Sequence, residues 1–441
     1  MKKVLILAYD FPPYVSVGGI RPNSWLRYFA QFGYSPIVVT RQWSNFYQDE
    51  RDYIAPGTTD HVVVEKTDFG SIYRAPFHPN LSHRLSIKYN GSRYRGICKG
   101  ISAWEEFVQY FFHLGSKKTL LKAAEQVIES HEISLIIATG EPFVLFNYAA
   151  HLGKKHGIKW VADFRDPWSD DISRKKLGLL RHLDRFHEKR ILKSASAITT
   201  VNEFFAALIS SKFEQKIIKV IPNGYDQEFK EAGDLIKQAS DKFRIALVGT
   251  IHSWHPWKLF LKTCAEFISN NPDFSFEIVF IGVNNEQEIR LFSNSLKTNS
   301  FLKFMPRTPN NELPRILAKM NVLLLFNYYD YIGTKIYNYL ALKRLVIFCF
   351  VKDPEAERLK AESYNMPKSE MNKRPQKDLI RHTNGGILVN DKNHLISVLY
   401  DLKSEFNNTQ TIKCPSKDID CLSRESSCKA LTFLFNELLN D

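Results

Sequence analysis

Short apolar runs alternate with segments of helical periodicity along most of this chain, and this alternation limits the folds that the chain can adopt. Residues 3–8 form an apolar run of strand length, residues 22–32 repeat apolar side chains at helical spacing until Gly33, and residues 35–40 again resemble a strand. Repeated strand–helix units of this kind predict an open parallel sheet with helices on both faces. The fold class that we expect is therefore α/β.

The alternation is interrupted by a Pro-Asn-Gly turn at residues 222–224 and then starts again. A chain of 441 residues is long enough for two domains that each bury a core. The sequence therefore predicts two Rossmann-like domains, at residues 1–225 and 226–415, that face each other across a cleft. Within the second half, residues 352–378 are charged and show no clear period, which predicts a surface loop.

Positive charge is concentrated in the first half of the chain. The net charge is +13, and residues 1–225 contain 31 Lys and Arg against 21 Asp and Glu. A basic half favours an anionic partner, such as lipid headgroups, phosphorylated lipid or nucleic acid, although charge also serves solubility alone. We find no nucleic-acid-binding motif, so we expect no nucleic acid partner.

The sequence gives no sign of export or of a membrane span. The first apolar run ends near residue 9, which is short for a signal peptide, and no apolar stretch approaches the roughly 20 residues that span a bilayer. The six cysteines are sparse and form no Cys-x-x-Cys pair. We therefore expect a cytoplasmic protein, with a peripheral position at the inner face of the membrane as the alternative location.

A Gly-Thr-Lys turn in the second half has the pattern of a phosphate site. Gly333, Thr334 and Lys335 follow an apolar run of strand length and open a predicted helix. The free N–H groups and the dipole of a helix N-terminus attract anions, and a lysine there adds a full charge. Asp330 and Asn338 lie eight positions apart around this turn, where polar side chains can reach a nucleotide sugar.

Three other residues of the second half lie in or just after loops that follow predicted strands: Thr250, Lys258 and Arg307. Lys258 and Lys335 can together neutralise a diphosphate without a metal, and Arg307 can meet a nucleobase or a phosphate. A solvated surface charge is the alternative for each of the basic residues. No Asp-x-Asp motif stands at a predicted strand end, so we expect no metal.

Loops of the first half also carry candidate binding residues. Gly18 and Gly19 precede a predicted helix, with Arg21 beside them, and allow a ligand close to the backbone. A flexible turn is the alternative. Glu141 follows another predicted strand, where it can meet a hydroxyl group or, equally well, complement a helix dipole.

The densest polar cluster follows the predicted strand at residues 160–164. Asp163 and Asp166 can orient hydroxyl groups, Arg165 can hold a phosphate, and Trp168 can stack on a sugar. A structural network of ion pairs is the alternative interpretation of this cluster.

A basic amphipathic segment lies between this cluster and the next predicted strand. Residues 172–194 contain eight Lys and Arg against two acids, interleaved with leucines and other apolar side chains. This pattern predicts a helix that lies on an anionic membrane, and a helix that covers its own domain explains it equally well.

In this order and spacing, the motifs resemble those of the GT-B-fold retaining glycosyltransferases of family four. The resemblance covers nearly the whole chain and rests on Gly18-Gly19, residues 163–168, residues 221–226, Gly249-Thr250 with Lys258, and residues 333–341. It implies transfer of a sugar from a nucleotide-diphosphate donor, as co-substrate and without a cofactor, to an acceptor hydroxyl with retention. It also implies that residues 416–441 form a C-terminal helix that returns to the first domain.

The resemblance also assigns roles to particular residues. The family's two glutamates near the phosphate-binding helix correspond to Asp330 and Asn338, and its basic pair corresponds to Lys335 and Lys258. Gly140 stands where many members have a histidine. The expected catalytic residues are Lys335, Lys258, Asp166 and Asp330, the expected donor-binding residues are Gly18, Gly19, Thr250, Arg307, Gly333, Thr334 and Asn338, and the expected acceptor-binding residues are Glu141, Asp163, Arg165 and Trp168.

The function that we expect is therefore a glycosyltransferase of surface polysaccharide biosynthesis that acts on a lipid-linked acceptor, with an anionic membrane surface as a further partner. A nucleotide-sugar epimerase of the same fold is one alternative. A non-catalytic partner that binds a nucleotide sugar is the other.

Overall fold

The computed structural model describes residues 1–43, 50–91, 93–170, 178–309, 311–326, 332–363 and 375–440. The chain forms two compact units, an N-terminal unit of Met1–Pro222 with Glu425–Asp441 and a C-terminal unit of Asn223–Arg424. The boundary expected after residue 225 thus falls after Pro222. Of the segment expected to return to the first domain, only Glu425–Asp441 belongs to the N-terminal unit.

The N-terminal unit is built on an eight-stranded sheet in the order β3-β4-β2-β1-β5-β6-β7-β8. Its strands are β1 (Lys2–Leu7), β2 (Tyr34–Arg41), β3 (Val63–Lys66), β4 (Ser71–Ala75), β5 (Ile133–Gly140), β6 (Trp160–Phe164), β7 (Ala197–Thr200) and β8 (Ile217–Val220). Neighbouring strands are parallel except for the antiparallel pair β3 and β4 at one edge. Its first helices are α1 (Val17–Tyr28), α2 (Leu81–Lys88), α3 (Arg95–Phe112), α4 (Lys118–Ser130), α5 (Val144–His156), α6 (Gly178–Leu192) and α7 (Glu203–Ser210).

Both faces of this sheet are covered, because a strand sends alternate side chains to opposite faces. In β1, Leu5 and Leu7 enter one apolar cluster, whereas Val4 and Ile6 enter another. All four side chains are buried. Burial on both faces explains why the strands of this unit read as continuous apolar runs.

The C-terminal unit contains a six-stranded sheet, parallel throughout its described pairs, in the order β11-β10-β9-β12-β13-β14. Its strands are β9 (Phe243–Val248), β10 (Phe276–Ile281), β11 (Leu302–Met305), β12 (Val322–Phe326), β13 (Leu345–Cys349) and β14 (Gly386–Val389). Its helices are α8 (Gln227–Leu235), α9 (Trp257–Ser269), α10 (Glu286–Ser295), α11 (Leu313–Leu317), α12 (Thr334–Ala341), α13 (Pro354–Ser363), α14 (Pro375–Thr383) and α15 (Lys392–Thr409). The prediction of two α/β units with largely parallel sheets is confirmed.

The last helix, α16 (Arg424–Asn440), lies almost entirely within the N-terminal unit. Leu431 and Phe435 of α16 are fully buried in the apolar cluster that contains Phe29 and Tyr34. The Tyr34 hydroxyl also donates a hydrogen bond of 2.6 Å to Asn436 Oδ1. The chain end is therefore part of the core of the first unit.

The prediction of a surface loop at residues 352–378 is wrong for its described part. Residues Pro354–Ser363 form α13, and α14 begins at Pro375. Asp353 Oδ1 accepts hydrogen bonds from the backbone N–H groups of Glu355 (2.9 Å) and Ala356 (3.2 Å), which caps the first turn of α13. A capped helix with few apolar residues leaves no clear period in the sequence.

Candidate functional site

The end of β9 in the C-terminal unit carries a glycine that makes room for a lysine. Gly249 follows the strand with φ +76°, in the left-handed region that favours glycine. A Cβ atom at this position would lie 3.2 Å from Lys335 Nζ. The Gly249 N–H donates a 2.7 Å hydrogen bond to the carbonyl oxygen of Ile281, at the end of the neighbouring strand β10. This backbone hydrogen bond between the ends of β9 and β10 thus holds Gly249 beside Lys335.

Lys335 is the second residue of α12, whose N-terminus has no side-chain cap. Gly333 is the N-cap residue, with extended backbone at φ −71° and ψ 163°. Ile336 and Leu340 anchor the helix in the core, so that its first turn is held in place. The first N–H groups of α12 and the ammonium group of Lys335 together could hold an anion.

The charge of Lys335 has lost much of its hydration. Burial lowers the pKa of Lys335 to about 8. No carboxylate of the described residues forms an ion pair with it. Asp330, an expected catalytic residue close to this turn, lies outside the described residues. A desolvated ammonium group at an uncapped helix N-terminus favours an anionic ligand.

Two histidines that the sequence analysis did not select lie beside Lys335. The backbone N–H of His252 donates a hydrogen bond to the ring nitrogen Nδ1 of His255 (3.2 Å). The backbone N–H of His255 donates to the carbonyl oxygen of His252 (3.0 Å). Burial is the main cause that lowers the pKa of both rings, to about 3 for His255, and the charge of Lys335 adds to it. Both imidazoles are therefore neutral at pH 7. Two histidines in one loop after a strand were the signal available in the sequence.

Asn338 lies one turn after Thr334 on α12, and its side-chain oxygen is buried. This oxygen has no hydrogen-bond partner among the described residues. A buried acceptor without a partner costs free energy, which a donor group of a ligand would recover. The expected donor-binding residues Gly333, Thr334 and Asn338 thus lie on the same helix start as Lys335.

The remaining candidates of the C-terminal unit are at its surface. Lys258, on the first turn of α9, pairs with Glu288 Oε1 at 2.9 Å, and each side chain is about half exposed. Thr250 is exposed directly after Gly249. Arg307 is exposed in the loop after β11, and its Cα atom lies 3.1 Å from the position of a Cβ atom at Gly282. Lys258 is therefore half exposed and paired with a glutamate, whereas Lys335 is desolvated and has no carboxylate partner among the described residues.

In the N-terminal unit, Asp163 is fully buried at the end of β6 and forms an ion pair with Arg21 of α1. Arg21 Nη2 lies 2.7 Å from Asp163 Oδ1, and Arg21 Nε contacts both carboxylate oxygens at 3.0 and 3.1 Å. Thr139 of β5 and Thr199 of β7 donate to the same carboxylate at 3.0 and 2.7 Å. These contacts leave no free side for an acceptor and support the structural alternative for Asp163.

Arg165 and Gly18 lie against each other, together with an acid that the sequence analysis did not select. Arg165 donates to the carbonyl oxygens of Gly140 (2.5 Å) and Glu141 (2.8 Å). A Cβ atom at Gly18 would overlap Arg165 Nη1 and lie 2.6 Å from Asp10 Oδ2. Burial raises the pKa of Asp10, although Ser16 donates a 2.6 Å hydrogen bond to it and Arg165 lies nearby. Gly18 is therefore required for the fit of Arg165. A Cβ atom at Gly19 would be less crowded, at 3.2 Å from the backbone of Phe11.

The other acceptor-binding candidates differ in exposure. Trp168 is 2% exposed, and its ring stacks on Phe143 (4.9 Å) and Tyr110 (5.4 Å), so neither face is free for a sugar. Glu141 and Asp166 are half-buried in the loops after β5 and β6, and each already interacts with another group. Trp168 is therefore a core residue. Across the described ranges there is no cluster of three or more His, Cys, Asp or Glu side chains that could hold a metal.

Comparison with known sequences finds a family match that covers part of the N-terminal unit and the first residues of the C-terminal unit. Residues 105–229 match Glycosyltransferase Family 4. We refer to these residues below as the family 4 segment. The family 4 segment contains Asp163, Arg165 and Asp166 but ends before Lys335. A relative from Streptomyces kanamyceticus, a 2-deoxystreptamine glucosyltransferase, is 25% identical over 157 residues, which are 33% of this chain and 40% of that protein. The match thus spans less than half of the relative.

Solved structures agree with the two-unit fold. A sucrose-phosphate synthase from Thermosynechococcus elongatus has a TM-score of 0.62 at 12% identity, with both chains covered completely. The HepE protein of Anabaena, solved in complex with UDP, has a TM-score of 0.58 at 12% identity and covers 99% of this chain and 100% of its own. The starch synthase IV catalytic domain from Arabidopsis thaliana, bound to ADP and acarbose, has a TM-score of 0.54 at 10% identity, covering 100% and 99%. The prediction of a GT-B fold is confirmed, and the predicted resemblance to family four has a match over residues 105–229.

Proposed function

We propose that the protein transfers a sugar from a nucleotide-diphosphate donor to an acceptor hydroxyl, with retention of configuration. The observation that carries this proposal is Lys335, which is desolvated, lies against Gly249, and stands at the uncapped start of α12. The family 4 segment and the fold of the structural neighbours support the same reaction class.

The diphosphate of the donor would bind to the first N–H groups of α12 and to the ammonium group of Lys335. Asn338 would offer its unpaired side-chain oxygen to a hydroxyl group, such as one on the ribose of the donor. Arg307 is exposed near the strand ends and is our candidate for a contact with the base or a phosphate.

Catalysis would depend mainly on electrostatic stabilisation of the leaving diphosphate. The attraction between the ammonium group of Lys335 and the diphosphate would grow as negative charge develops on the leaving oxygen. Lys258 would take part only after leaving Glu288, to which it is bound in the free protein. Asp166 is our remaining acidic candidate among the described residues. We propose that neither a metal nor another cofactor is needed.

The acceptor that we propose is a lipid-linked precursor of a surface glycan. Glu141 and Arg165 follow the ends of neighbouring strands and are our candidates for contacts with it. In the described part of the chain, no helix combines the length and the apolar character that crossing a bilayer requires. The location that we propose is the cytoplasm, where the protein would meet the acceptor at the membrane surface.

Thermal stabilisation by UDP, GDP and ADP and their sugars, each with EDTA or with Mg²⁺, tests the donor site. We expect one nucleotide to raise the melting temperature, with or without Mg²⁺, because a ligand that binds only the folded state stabilises it. Lys335→Ala should remove this shift. Lys262→Ala, an exposed lysine of α9, is the matched control and should keep it. No shift with any nucleotide would contradict the proposal.

The identity of the products separates the candidate reactions. Mass spectrometry of a lipid extract incubated with the stabilising donor should show one added sugar on a lipid acceptor and release of the nucleoside diphosphate. An epimerised nucleotide sugar would instead indicate the epimerase. Binding without any product from a panel of acceptors would indicate the non-catalytic partner.

A further inference from the structure

Helix α3 of the N-terminal unit exposes a stripe of apolar side chains that the donor site does not explain. Ile97, Trp104, Phe107 and Phe111 follow one another at helical spacing, with exposed fractions between 37% for Phe111 and 66% for Trp104. The rings of Trp104 and Phe107 are 5.9 Å apart, and those of Phe107 and Phe111 are 4.9 Å apart. A continuous exposed apolar patch of this kind marks an interaction surface.

The side of α3 that contacts the rest of the unit is largely polar, apart from Tyr110, which is buried and stacks on Trp168 and His187. Ser82 of α2 donates to the carbonyl oxygen of Cys98 (3.1 Å), and its hydroxyl group bonds that of Ser102 (3.1 Å). Glu105 accepts a hydrogen bond from the backbone, and Gln109 is buried. A surface helix normally buries its apolar side. In α3 the four apolar side chains of the stripe are exposed instead, which favours a partner that covers them.

Helix α6 places basic side chains next to this stripe. Phe186 of α6 is 52% exposed, and its ring lies 6.5 Å from that of Phe111. The guanidinium group of Arg190 lies 5.0 Å from the Phe111 ring and 5.9 Å from the Phe186 ring. The exposed basic residues of α6 are Arg181, Arg185, Lys189 and Arg190.

The acids of α6 do not neutralise this basic side. Asp184 and Glu188 are both buried. Glu188 is 2.8 Å from Lys212 Nζ and also accepts a hydrogen bond from Ser169, so its charge is compensated inside the unit. Apart from Arg185, which lies 3.7 Å from Asp170, the exposed basic residues of α6 have no acidic partner among the described residues. The outer side of α6 therefore attracts anions.

We propose that the apolar stripe of α3 and the basic side of α6 form a docking surface for an anionic lipid bilayer. The aromatic rings would lie at the level of the headgroups, and the Arg and Lys side chains would contact lipid phosphates. A second copy of the chain is a poorer occupant, because a twofold contact would oppose two basic surfaces. The proposal does not involve the nucleotide, so its failure and that of the proposed function are distinguishable.

Flotation of the full chain with lipid vesicles tests the docking surface. We expect the protein to float with vesicles of phosphatidylcholine mixed with phosphatidylglycerol, and to remain unbound with phosphatidylcholine alone. Salt should weaken the binding, because charges at a membrane surface are screened. Trp104 is exposed, so its fluorescence should shift to the blue when its ring enters the headgroup layer.

Two double variants separate the apolar and the basic contributions. Trp104→Ser with Phe107→Ser should lower the vesicle partition coefficient at least about tenfold, because apolar area drives interfacial binding. Phe433→Ser, which changes a 58% exposed ring on α16 of the same unit, is the matched control and should leave it unchanged. Arg181→Gln with Lys189→Gln should lower it about 30-fold. Lys237→Gln with Lys303→Gln removes two exposed charges of the C-terminal unit and is the second control.

Every one of these variants should keep the circular dichroism spectrum and the melting temperature of the unchanged chain, which shows that it folds. The proposal is overturned if anionic vesicles do not bind the protein, or if the aromatic double variant binds them as well as the unchanged chain. It is also overturned if the unchanged chain is a dimer that Trp104→Ser with Phe107→Ser dissociates, because a second copy would then cover the stripe.

Discussion

At the scale of single residues, the proposed donor site depends on a lysine whose charge is poorly solvated in the free protein. Burial lowers the pKa of Lys335 to about 8, and the neutral rings of His252 and His255 beside it offer no negative charge. An anionic ligand would stabilise the charged form of Lys335. Ligand binding and protonation of Lys335 are therefore linked.

This linkage predicts a pH dependence of nucleotide affinity. Below pH 8 Lys335 is already charged in the free protein, so the affinity for the preferred nucleoside diphosphate should be constant between pH 7 and the pKa. Above about pH 8 the free protein must take up a proton to bind, and the affinity should fall by up to about tenfold per pH unit. Titration calorimetry from neutral to alkaline pH measures both the affinity and the proton uptake.

Lys335→Arg is the control for this pH profile, because arginine stays charged over the whole range. It should flatten the decrease in affinity above pH 8 while preserving binding at neutral pH. An unchanged profile in Lys335→Arg would assign the pH dependence to another group.

Gly249→Ala should disturb both the backbone and the lysine. The left-handed conformation should cost about 1 kcal/mol of unfolding free energy, and the new Cβ, 3.2 Å from Lys335 Nζ, should lower nucleotide affinity about tenfold. Gly157→Ala is the matched control, since Gly157 has φ +69° with no atom near its missing Cβ. Chemical denaturation and calorimetry should therefore show a stability loss in both variants but an affinity loss only in Gly249→Ala.

At the scale of secondary structure elements, the Asp163 carboxylate connects three strands and a helix. It accepts hydrogen bonds from β5 and β7 while it pairs with Arg21 of α1, and Arg21 also donates to the carbonyl oxygen of Ile221 (2.9 Å) after β8. The ends of the strands are thereby fixed relative to Gly18 at the start of α1 and to the loops that carry Glu141 and Arg165. This buried pair supports the surrounding loops without contacting a ligand itself.

Asp163→Ala should destabilise the N-terminal unit by about 3–5 kcal/mol, because it leaves the Arg21 charge buried without a partner. Replacement of both partners, Asp163→Leu with Arg21→Met, should cost much less. Glu125→Gln, which breaks the exposed pair of Glu125 with Lys155, is the control and should cost less than about 1 kcal/mol. Urea denaturation followed by tryptophan fluorescence measures all three. A double variant as unstable as Asp163→Ala would show that this account of the pair is incorrect.

At the scale of the whole molecule, the two ends of the chain fold together in one unit. The strand β1 and the helix α16 both contribute to the apolar cluster that contains Val4 and Phe435. The N-terminal unit therefore cannot complete its core until the C-terminal unit has been synthesised. It also carries the proposed membrane surface, whereas the proposed donor site lies in the other unit.

Two phenylalanines of α16 test this arrangement. Phe435 is fully buried, so Phe435→Ala should lower the unfolding free energy of the N-terminal unit by about 3–5 kcal/mol. Phe433, two positions earlier in the helix, is 58% exposed. Phe433→Ala should therefore change the unfolding free energy by less than about 0.5 kcal/mol. Chemical denaturation compares the two variants directly. Equal effects would contradict the structural role of α16.

The sequence by itself determined the fold class and the existence of two α/β units, and it predicted the anion site that we propose at Gly333 to Lys335. Strands buried on both faces leave continuous apolar runs, and a glycine turn before a helix leaves a local signature, so both can be read along the chain. The same local reasoning missed α13, whose first turn depends on the cap by Asp353 rather than on apolar periodicity.

Only the tertiary structure decided which polar residues are buried and what they contact. Asp163 and Trp168 lie in one sequence cluster with Arg165, yet the first two are inside the unit because partners from distant segments, Arg21 and Phe143, cover them. His252 and His255 became candidates only when packing placed them beside Lys335. Likewise, the apolar side of α3 is exposed because its polar side fits α2. Burial and contact depend on residues far apart in the chain, which spacing along the sequence does not encode.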